Sequence, residues 1–129
     1  MSTDCSSPLQ ILLIEDHPDT AKVMKLILER AGIVVHVAAS AADARSAVQS
    51  GAFDLAICDK QLPDVNGTNL CRELLASRNL KSICLSGSAQ DDGGGDDVFA
   101  AYLTKPIDVA KLLAAIERVT GRSVSRPPA

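Results

Sequence analysis

Short apolar runs alternate along this 129-residue chain with longer stretches in which apolar residues recur every three or four positions. The short runs match buried strands, and the longer stretches match helices that pack one face against a sheet. This alternation predicts parallel strands joined by crossover helices, which is an α/β fold. The length fits one domain, which we place at residues 9–121, with tails at residues 1–8 and 122–129.

Five strands are predicted where the apolar runs meet polar or turn-forming residues. They are Gln10–Ile14, Val34–Val37, Leu55–Cys58, Ile83–Leu85 and Ala101–Thr104. Asp59 directly follows the third of these strands, and Ser86 directly follows the fourth.

Capping residues mark where the predicted helices begin and end. Pro18 is tolerated in the first turn of a helix, and Gly32 is a plausible stop for the same helix. Ser40, with Asp43 three residues later, resembles a capping box at the start of a second helix that ends at Gly51. The last helix is predicted to begin after Asp108 as its N-cap and to reach Gly121.

Apolar spacing predicts which helix faces are buried. The first helix should bury Val23, Met24, Ile27, Leu28 and Ala31, and the third should bury Leu70, Leu74 and Leu75. Between the fourth and fifth strands, the acidic stretch Asp91–Asp97 contains three consecutive glycines. Each glycine costs a helix about 1 kcal/mol relative to alanine, so any helix in this interval should be short or frayed.

Charge and cysteine content exclude several classes of function. With 13 basic and 16 acidic residues, the net charge of -3 provides no general attraction to nucleic acid or to an anionic membrane. The four cysteines are far apart and form no zinc-binding or disulfide pattern, which favours a reducing cytoplasm. We expect a soluble protein, because no apolar stretch approaches the roughly 18 residues that span a bilayer.

Polar residues follow the predicted strands at the point where each one ends. They are Glu15 and Asp16 after the first strand, Asp59 after the third, Ser86 after the fourth and Lys105 after the fifth. In open α/β folds the carboxyl ends of parallel strands share one edge, where ligands bind. We therefore expect these residues to converge in space.

Three carboxylates drawn together repel one another unless a cation compensates their charge. Mg²⁺ suits this role, because it prefers oxygen ligands and usually takes one or two carboxylates together with a phosphate. Lys105 adds an ammonium group and Ser86 a hydroxyl, and both can contact a phosphoryl group carried by a carboxylate. This combination of carboxylates, a lysine and a hydroxyl therefore favours phosphoryl transfer to an aspartate. Individually, each residue also fits a plain structural role, such as a helix-start acid, a turn aspartate or a solvated lysine.

Four segments carry these strand-end residues. They are Ile11–Asp16 (ILLIED), Asp54–Gly67 (DLAICDKQLPDVNG), Ser86 with Gly87, and Tyr102–Pro106 (YLTKP). Together and in this order, they resemble the receiver domains of bacterial response regulators over about Leu9–Thr120. The resemblance implies a flavodoxin-like, doubly wound five-stranded parallel sheet in the order 2-1-3-4-5, with helices on both faces.

The resemblance also implies roles for single residues. Asp59 would be the phosphoacceptor, and Glu15 and Asp16 would hold Mg²⁺ together with Asp59 and the backbone carbonyl of Gln61. Lys105 would pair with the phosphorylated aspartate.

Two further positions match the family's switch pair. Ser86 would move toward the phosphoryl group and the ring of Tyr102 would turn inward, which is a population shift between two packed states. The interval from Ser86 to Lys105 is short and Gly-rich for the family, so the output face that the fourth helix normally shapes is expected to be reduced, disordered or rebuilt.

Partners follow from the resemblance alone. A histidine kinase or phosphotransfer domain would donate the phosphoryl group, and the output partner is not specified by any motif. A dimer formed on phosphorylation, a stand-alone regulator and a receiver belonging to a longer protein all remain open. Two other functions fit parts of the sequence. One is a receiver-like interaction module that is not phosphorylated, and the other is a phosphatase-like enzyme, which would need an acid where Gln61 stands.

Overall fold

The computed structural model describes residues 9–51, 53–59, 67–78, 80–86, 100–104 and 108–121, and at positions 59, 67, 68, 77, 78, 86 and 104 the backbone alone. Strands and helices alternate along the chain, as predicted. In chain order they are β1 (Gln10–Ile14), α1 (Pro18–Arg30), β2 (Val34–Ala38), α2 (Ala41–Ser50), β3 (Leu55–Asp59), α3 (Gly67–Arg78), β4 (Ser82–Ser86), β5 (Ala101–Thr104) and α4 (Val109–Thr120).

The strands form a parallel sheet in the order β2-β1-β3-β4-β5. This is the predicted flavodoxin-like order. Three strands extend past their predicted ends, because backbone pairing continues beyond the apolar runs that marked them. β2 gains Ala38, β3 gains Asp59, and β4 gains Ser82 and Ser86. Asp59 pairs with Leu85 at the end of β3, and Ser86 pairs with Thr104 at the end of β4.

The two faces of the sheet carry separate hydrophobic clusters, because successive side chains of a strand point to opposite faces. On one face, which we call the α1/α4 face, Ile11 and Leu13 of β1 pack with Ile57 of β3 and with helices α1 and α4. On the other, the α2/α3 face, Leu12 and Ile14 pack with helices α2 and α3. Helices therefore cover the sheet on both sides.

Helical packing corrects one sequence-based expectation about α1. Met24 and Leu28 are buried in the α1/α4 face, whereas the side chain of Val23 is 57% exposed and Ile27 is only half-buried. Adjacent helical positions are about 100° apart, so a helix that centres its buried stripe on Met24 turns Val23 toward solvent. In α3, Leu70 and Leu74 are buried and Leu75 is half-buried.

The predicted capping residues occupy the expected positions. Ser40 Oγ accepts a hydrogen bond from the Asp43 N–H at 3.2 Å, and Asp108 is the N-cap of α4. Gly32 and Gly121 follow α1 and α4 with positive φ angles of 83° and 72°, a backbone conformation that favours glycine. Among the described residues, no helix is both long and apolar enough to cross a membrane. The predicted tails and the stretch Asp91–Asp97 lie outside the described residues.

Candidate functional site

The carboxyl ends of the strands lie along one edge of the sheet, because all the strand pairs are parallel. The register aligns residues from each strand in rows that cross the sheet. The last row beneath this edge on the α2/α3 face consists of Ala38, Ile14, Cys58, Cys84 and Tyr102. The candidate site begins with the residues that follow this row.

Glu15 and Asp16 are adjacent in sequence but differ in environment. The Glu15 N–H donates to the carbonyl oxygen of Ala38 at 2.9 Å, which carries the β1–β2 pairing one residue past β1. The Glu15 side chain is only 2% exposed, and its Oε2 accepts a hydrogen bond from the His17 N–H at 3.2 Å. Asp16 is exposed. One acid is thus held within the fold while the other faces solvent.

Asp59 is the last residue of β3, the strand next to β1. Because Ile14 pairs with Cys58, the next residues of these two strands are Glu15 and Asp59. The backbone therefore brings the two acids to neighbouring strand ends, as the sequence predicted. The Asp59 side chain lies outside the described atoms.

Ser86 and Tyr102 come from the two strands beyond β3. Ser86 ends β4, and its side chain is not described. Tyr102 of β5 is the register partner of Cys84, and its half-buried side chain packs against the α2/α3 face. Lys105 and Gln61 lie outside the described residues, so their predicted roles stay predictions.

His17 is the N-cap of α1. Its ring Nδ1 accepts a hydrogen bond from the Thr20 N–H at 3.3 Å, and the Thr20 hydroxyl lies 3.2 Å from the same nitrogen. The His17 carbonyl accepts from the Ala21 N–H at 3.0 Å. Pro18 indicated where the helix begins, but histidine is not among the preferred capping residues, so the sequence did not predict this contact.

The three described cysteines, Cys58, Cys71 and Cys84, are fully buried on the α2/α3 face, and none of them forms a disulfide. A hydrogen bond with the Cys58 side chain lowers the pKa of the Cys71 thiol, against the effect of burial, which raises it. Ser82 contributes to the same lowering of the Cys71 pKa. Cys58 and Cys84 are register partners on neighbouring strands, where they serve as small buried side chains.

The donor chemistry at this edge fits Mg²⁺. Glu15 and Asp16 bring two carboxylates to the edge at which Asp59 ends β3, and oxygen atoms are the ligands that Mg²⁺ prefers. Among the side chains that the structure describes, no group of three or more His, Cys, Asp or Glu residues is placed to hold a metal ion. The predicted Mg²⁺ ligands also include the Asp59 side chain and the Gln61 carbonyl, which lie outside the part of the chain that the structure describes.

Comparison with known proteins agrees with this arrangement. The family model for the response regulator receiver domain matches residues 11–117. The transcriptional regulatory protein TcrA of Mycobacterium tuberculosis is 30% identical over 131 aligned residues, which cover 95% of this chain and 50% of TcrA. The chain spans about half the length of TcrA and of several other curated relatives that it matches.

Solved structures show the same fold. A receiver domain from Methylobacillus flagellatus is 32% identical with a TM-score of 0.81, over 88% of this chain and 99% of that one. TrrA from Thermotoga maritima, solved in complex with Mg²⁺-BeF, is 21% identical and shares the fold with a TM-score of 0.79, over 86% of this chain and 98% of TrrA. From its sheet order, its strand-end acids and its match to the family model, the chain belongs to the response regulator receiver domain family.

Proposed function

We propose that this chain is a phosphorylation-operated switch in which Asp59 accepts a phosphoryl group from a histidine kinase or a phosphotransfer domain. In this proposal Glu15, Asp16, Asp59 and the backbone carbonyl of Gln61 hold Mg²⁺. Lys105 pairs with the phosphorylated aspartate, and Ser86 and Tyr102 respond to it. The protein acts as a phosphoacceptor that assists its own phosphorylation and dephosphorylation, and not as an enzyme with a separate substrate.

The observation that carries the proposal is the alignment of acids at two neighbouring strand ends. Glu15 follows Ile14 and Asp59 follows Cys58, and the register pairs those two preceding residues. Asp16 adds an exposed carboxylate beside the buried one. TrrA, which shares this fold, was solved in complex with Mg²⁺-BeF, and this supports a Mg²⁺ site here.

The transfer forms one bond and breaks another at phosphorus. A carboxylate oxygen of Asp59 attacks the phosphorus atom, and the bond from phosphorus to the donor's nitrogen, or to the oxygen of acetyl phosphate, breaks with its electron pair leaving on the donor. When bound, Mg²⁺ offsets negative charge on the phosphoryl oxygens. Lys105 supplies a second positive charge, and the acids beside Asp59 keep the metal in place.

The new charge biases a rearrangement of the neighbouring strands. Ser86 ends β4, the strand next to β3, and Tyr102 lies half-buried on β5, the strand beyond. A phosphoryl group at Asp59 attracts the Ser86 hydroxyl, and the Tyr102 ring then packs further into the α2/α3 face. The output partner is a protein that recognises the changed surface at β5, and a phosphorylation-dependent dimer is the second route to output.

Charge and thiol chemistry support the remaining parts of the proposal. The net charge of -3 favours a protein partner over direct contact with nucleic acid. We assign the protein to the cytoplasm, where cysteines stay reduced, because the three buried cysteines form no disulfide among the described residues. No part of the mechanism calls for insertion into a membrane.

Intact-mass measurement after incubation with acetyl phosphate tests the proposal. We expect one phosphoryl adduct that requires Mg²⁺ and is absent from Asp59→Asn. The matched control is Asp54→Asn, since Asp54 is an exposed acid at the opposite end of β3 whose carboxylate accepts from the Gln10 N–H at 2.8 Å. Asp54→Asn should keep the adduct.

Either of two results would contradict the proposal. An adduct on Asp59→Asn would mean that another residue is the acceptor. A folded wild-type protein that takes no phosphoryl group from acetyl phosphate or from a phosphorylated phosphotransfer domain would instead favour the alternative, a receiver-like module that acts without phosphorylation.

A further inference from the structure

The N-cap of α1 is a histidine, His17, whereas the other described N-caps are a serine and an aspartate. Ser40 caps α2 through its hydroxyl and Asp108 caps α4 through its carboxylate, which accepts from the Ala110 N–H at 2.9 Å. At α1 the acceptor is the Nδ1 atom of His17, 3.3 Å from the Thr20 N–H. A ring nitrogen accepts only through its lone pair, so the hydrogen of the neutral ring is on Nε2.

The backbone of His17 makes a second contact. Its N–H donates to Oε2 of Glu15 at 3.2 Å. The Glu15 carboxylate is buried, and the next residue after His17 is Pro18, which has no N–H to offer in its place. Glu15 is itself tied to the sheet through its N–H, which donates to the Ala38 carbonyl.

These contacts connect the first turn of α1 to the buried acid. The His17 ring is anchored at Thr20, and the His17 carbonyl accepts from the Ala21 N–H as the first bond of the helix. With its side chain and carbonyl both held by α1, the His17 backbone has a defined position. Its N–H then has a defined direction, and it points at Glu15 Oε2.

We propose that His17 is a positioning residue of the phosphorylation site, whose side-chain cap on α1 holds its own N–H against Glu15 and so preorganises the Glu15–Asp16 turn for Mg²⁺. This inference rests on the proposed function for the identity of the metal. Groups that orient metal ligands commonly change metal affinity by about 10- to 100-fold when they are removed. His17 acts here through hydrogen bonds and not as a ligand.

Three variants separate this role from an ordinary capping role. His17→Ala removes the ring, His17→Asn replaces it with a side chain that caps helices well, and Ser40→Ala removes the corresponding cap from α2. We would measure the Mg²⁺ dissociation constant of each by isothermal titration calorimetry, together with its thermal midpoint. His17→Ala and Ser40→Ala should lose similar thermal stability. Only His17→Ala should weaken Mg²⁺ binding, by about tenfold, and His17→Asn should restore most of it.

Amide hydrogen exchange at residue 17 supplies a readout that needs no metal. We expect this amide to be protected in the wild type and in His17→Asn, and to exchange faster in His17→Ala, while Ser40→Ala leaves it unchanged. Wild-type Mg²⁺ affinity in His17→Ala, or unchanged protection of its amide, would overturn the inference. If the wild type itself failed to bind Mg²⁺, the metal part of the proposed function and the inferred Mg²⁺ role of His17 would both be wrong. Amide exchange would still test the contact, because an amide of residue 17 that is unprotected even in the wild type would exclude the His17–Glu15 hydrogen bond.

Discussion

The two faces of the sheet are built from side chains of different size. Among the described residues, the buried cluster on the α2/α3 face has fourteen members, of which five are alanine and three are cysteine. The cluster on the α1/α4 face has eighteen members, of which four are alanine and none is cysteine. One face is therefore filled mainly by Ile, Leu and Val, and the other mainly by small side chains.

The difference in side-chain size affects how closely the core is packed beneath the candidate site. Small inward side chains allow a helix backbone to approach a strand closely, and α2 presents Ala41, Ala44 and Ala47 to the core. Small side chains have few or no rotamers with which to fill a void. The row directly beneath the strand-end acids belongs to this face and contains Cys58 and Cys84. The α2/α3 face should consequently tolerate changes of volume less well than the α1/α4 face.

The largest expected effect compares two leucines of β1. Leu12 and Leu13 are both fully buried, Leu12 on the α2/α3 face and Leu13 on the α1/α4 face. Truncation of either to alanine should lower the free energy of unfolding by about 2–5 kcal/mol. Leu12→Ala should cost more, because its small neighbours cannot fill the cavity, whereas flexible side chains such as Met24 can move into the space left by Leu13.

Urea-induced unfolding, followed by circular dichroism, measures both changes under one set of conditions. If Leu13→Ala proved the more destabilising of the two, the contrast between the faces would not describe how they respond to lost volume.

A smaller effect is expected when volume is added to α2. Ala44 is buried against the sheet, whereas Ala42 is exposed on the same helix. Ala44→Leu should lower the free energy of unfolding by about 1–3 kcal/mol through overpacking. Ala42→Leu, the matched control, should change it by less than about 0.5 kcal/mol. Equal stabilities of the two variants in urea would show that α2 can move away from the sheet without cost.

The smallest effect concerns the ion pair that joins α2 to α3 outside the core. Arg45 Nε lies 2.9 Å from Glu73 Oε2 and Arg45 Nη2 lies 3.1 Å from Glu73 Oε1, with both side chains nearly half exposed. A double-mutant cycle with Arg45→Gln and Glu73→Gln should give a coupling energy of about 0.2–1 kcal/mol.

Salt provides the control for this ion pair. The coupling energy should shrink in 1 M NaCl, where charges on the surface are screened within about 3 Å. A coupling energy above about 2 kcal/mol that persisted at high salt would mean that the ion pair contributes more to the α2–α3 contact than a surface pair should.

Much of the fold was predictable from local patterns. β1 and β5 were predicted with their exact ends, and Ser40 and Asp108 were predicted as N-caps, because both signals depend on neighbours within a few residues. Strand ends at polar residues were less predictable. β3 includes Asp59, since its backbone pairs with Leu85 whatever the side chain is.

The residue types of the candidate site were predictable, but the burial of each residue was not. Strand-end position and family resemblance together identified Glu15, Asp16 and Asp59. Neither could distinguish the buried Glu15 from the exposed Asp16, because burial depends on contacts with distant parts of the chain, such as Ala38 of β2, to which the Glu15 backbone is bonded. The exposure of Val23 escaped prediction for a similar reason, as spacing alone leaves the centre of a buried stripe uncertain by one residue.

Local sequence patterns were enough to predict the order of strands and helices along the chain, several of their ends and the chemical groups that follow each strand. These properties depend on local periodicity, on capping and on which polar residue interrupts an apolar run. The folded structure was needed to show which acid is buried, how the two faces differ and how His17 contacts both α1 and Glu15. Those properties depend on strand register and on packing between residues that are distant in the chain, which local patterns do not specify.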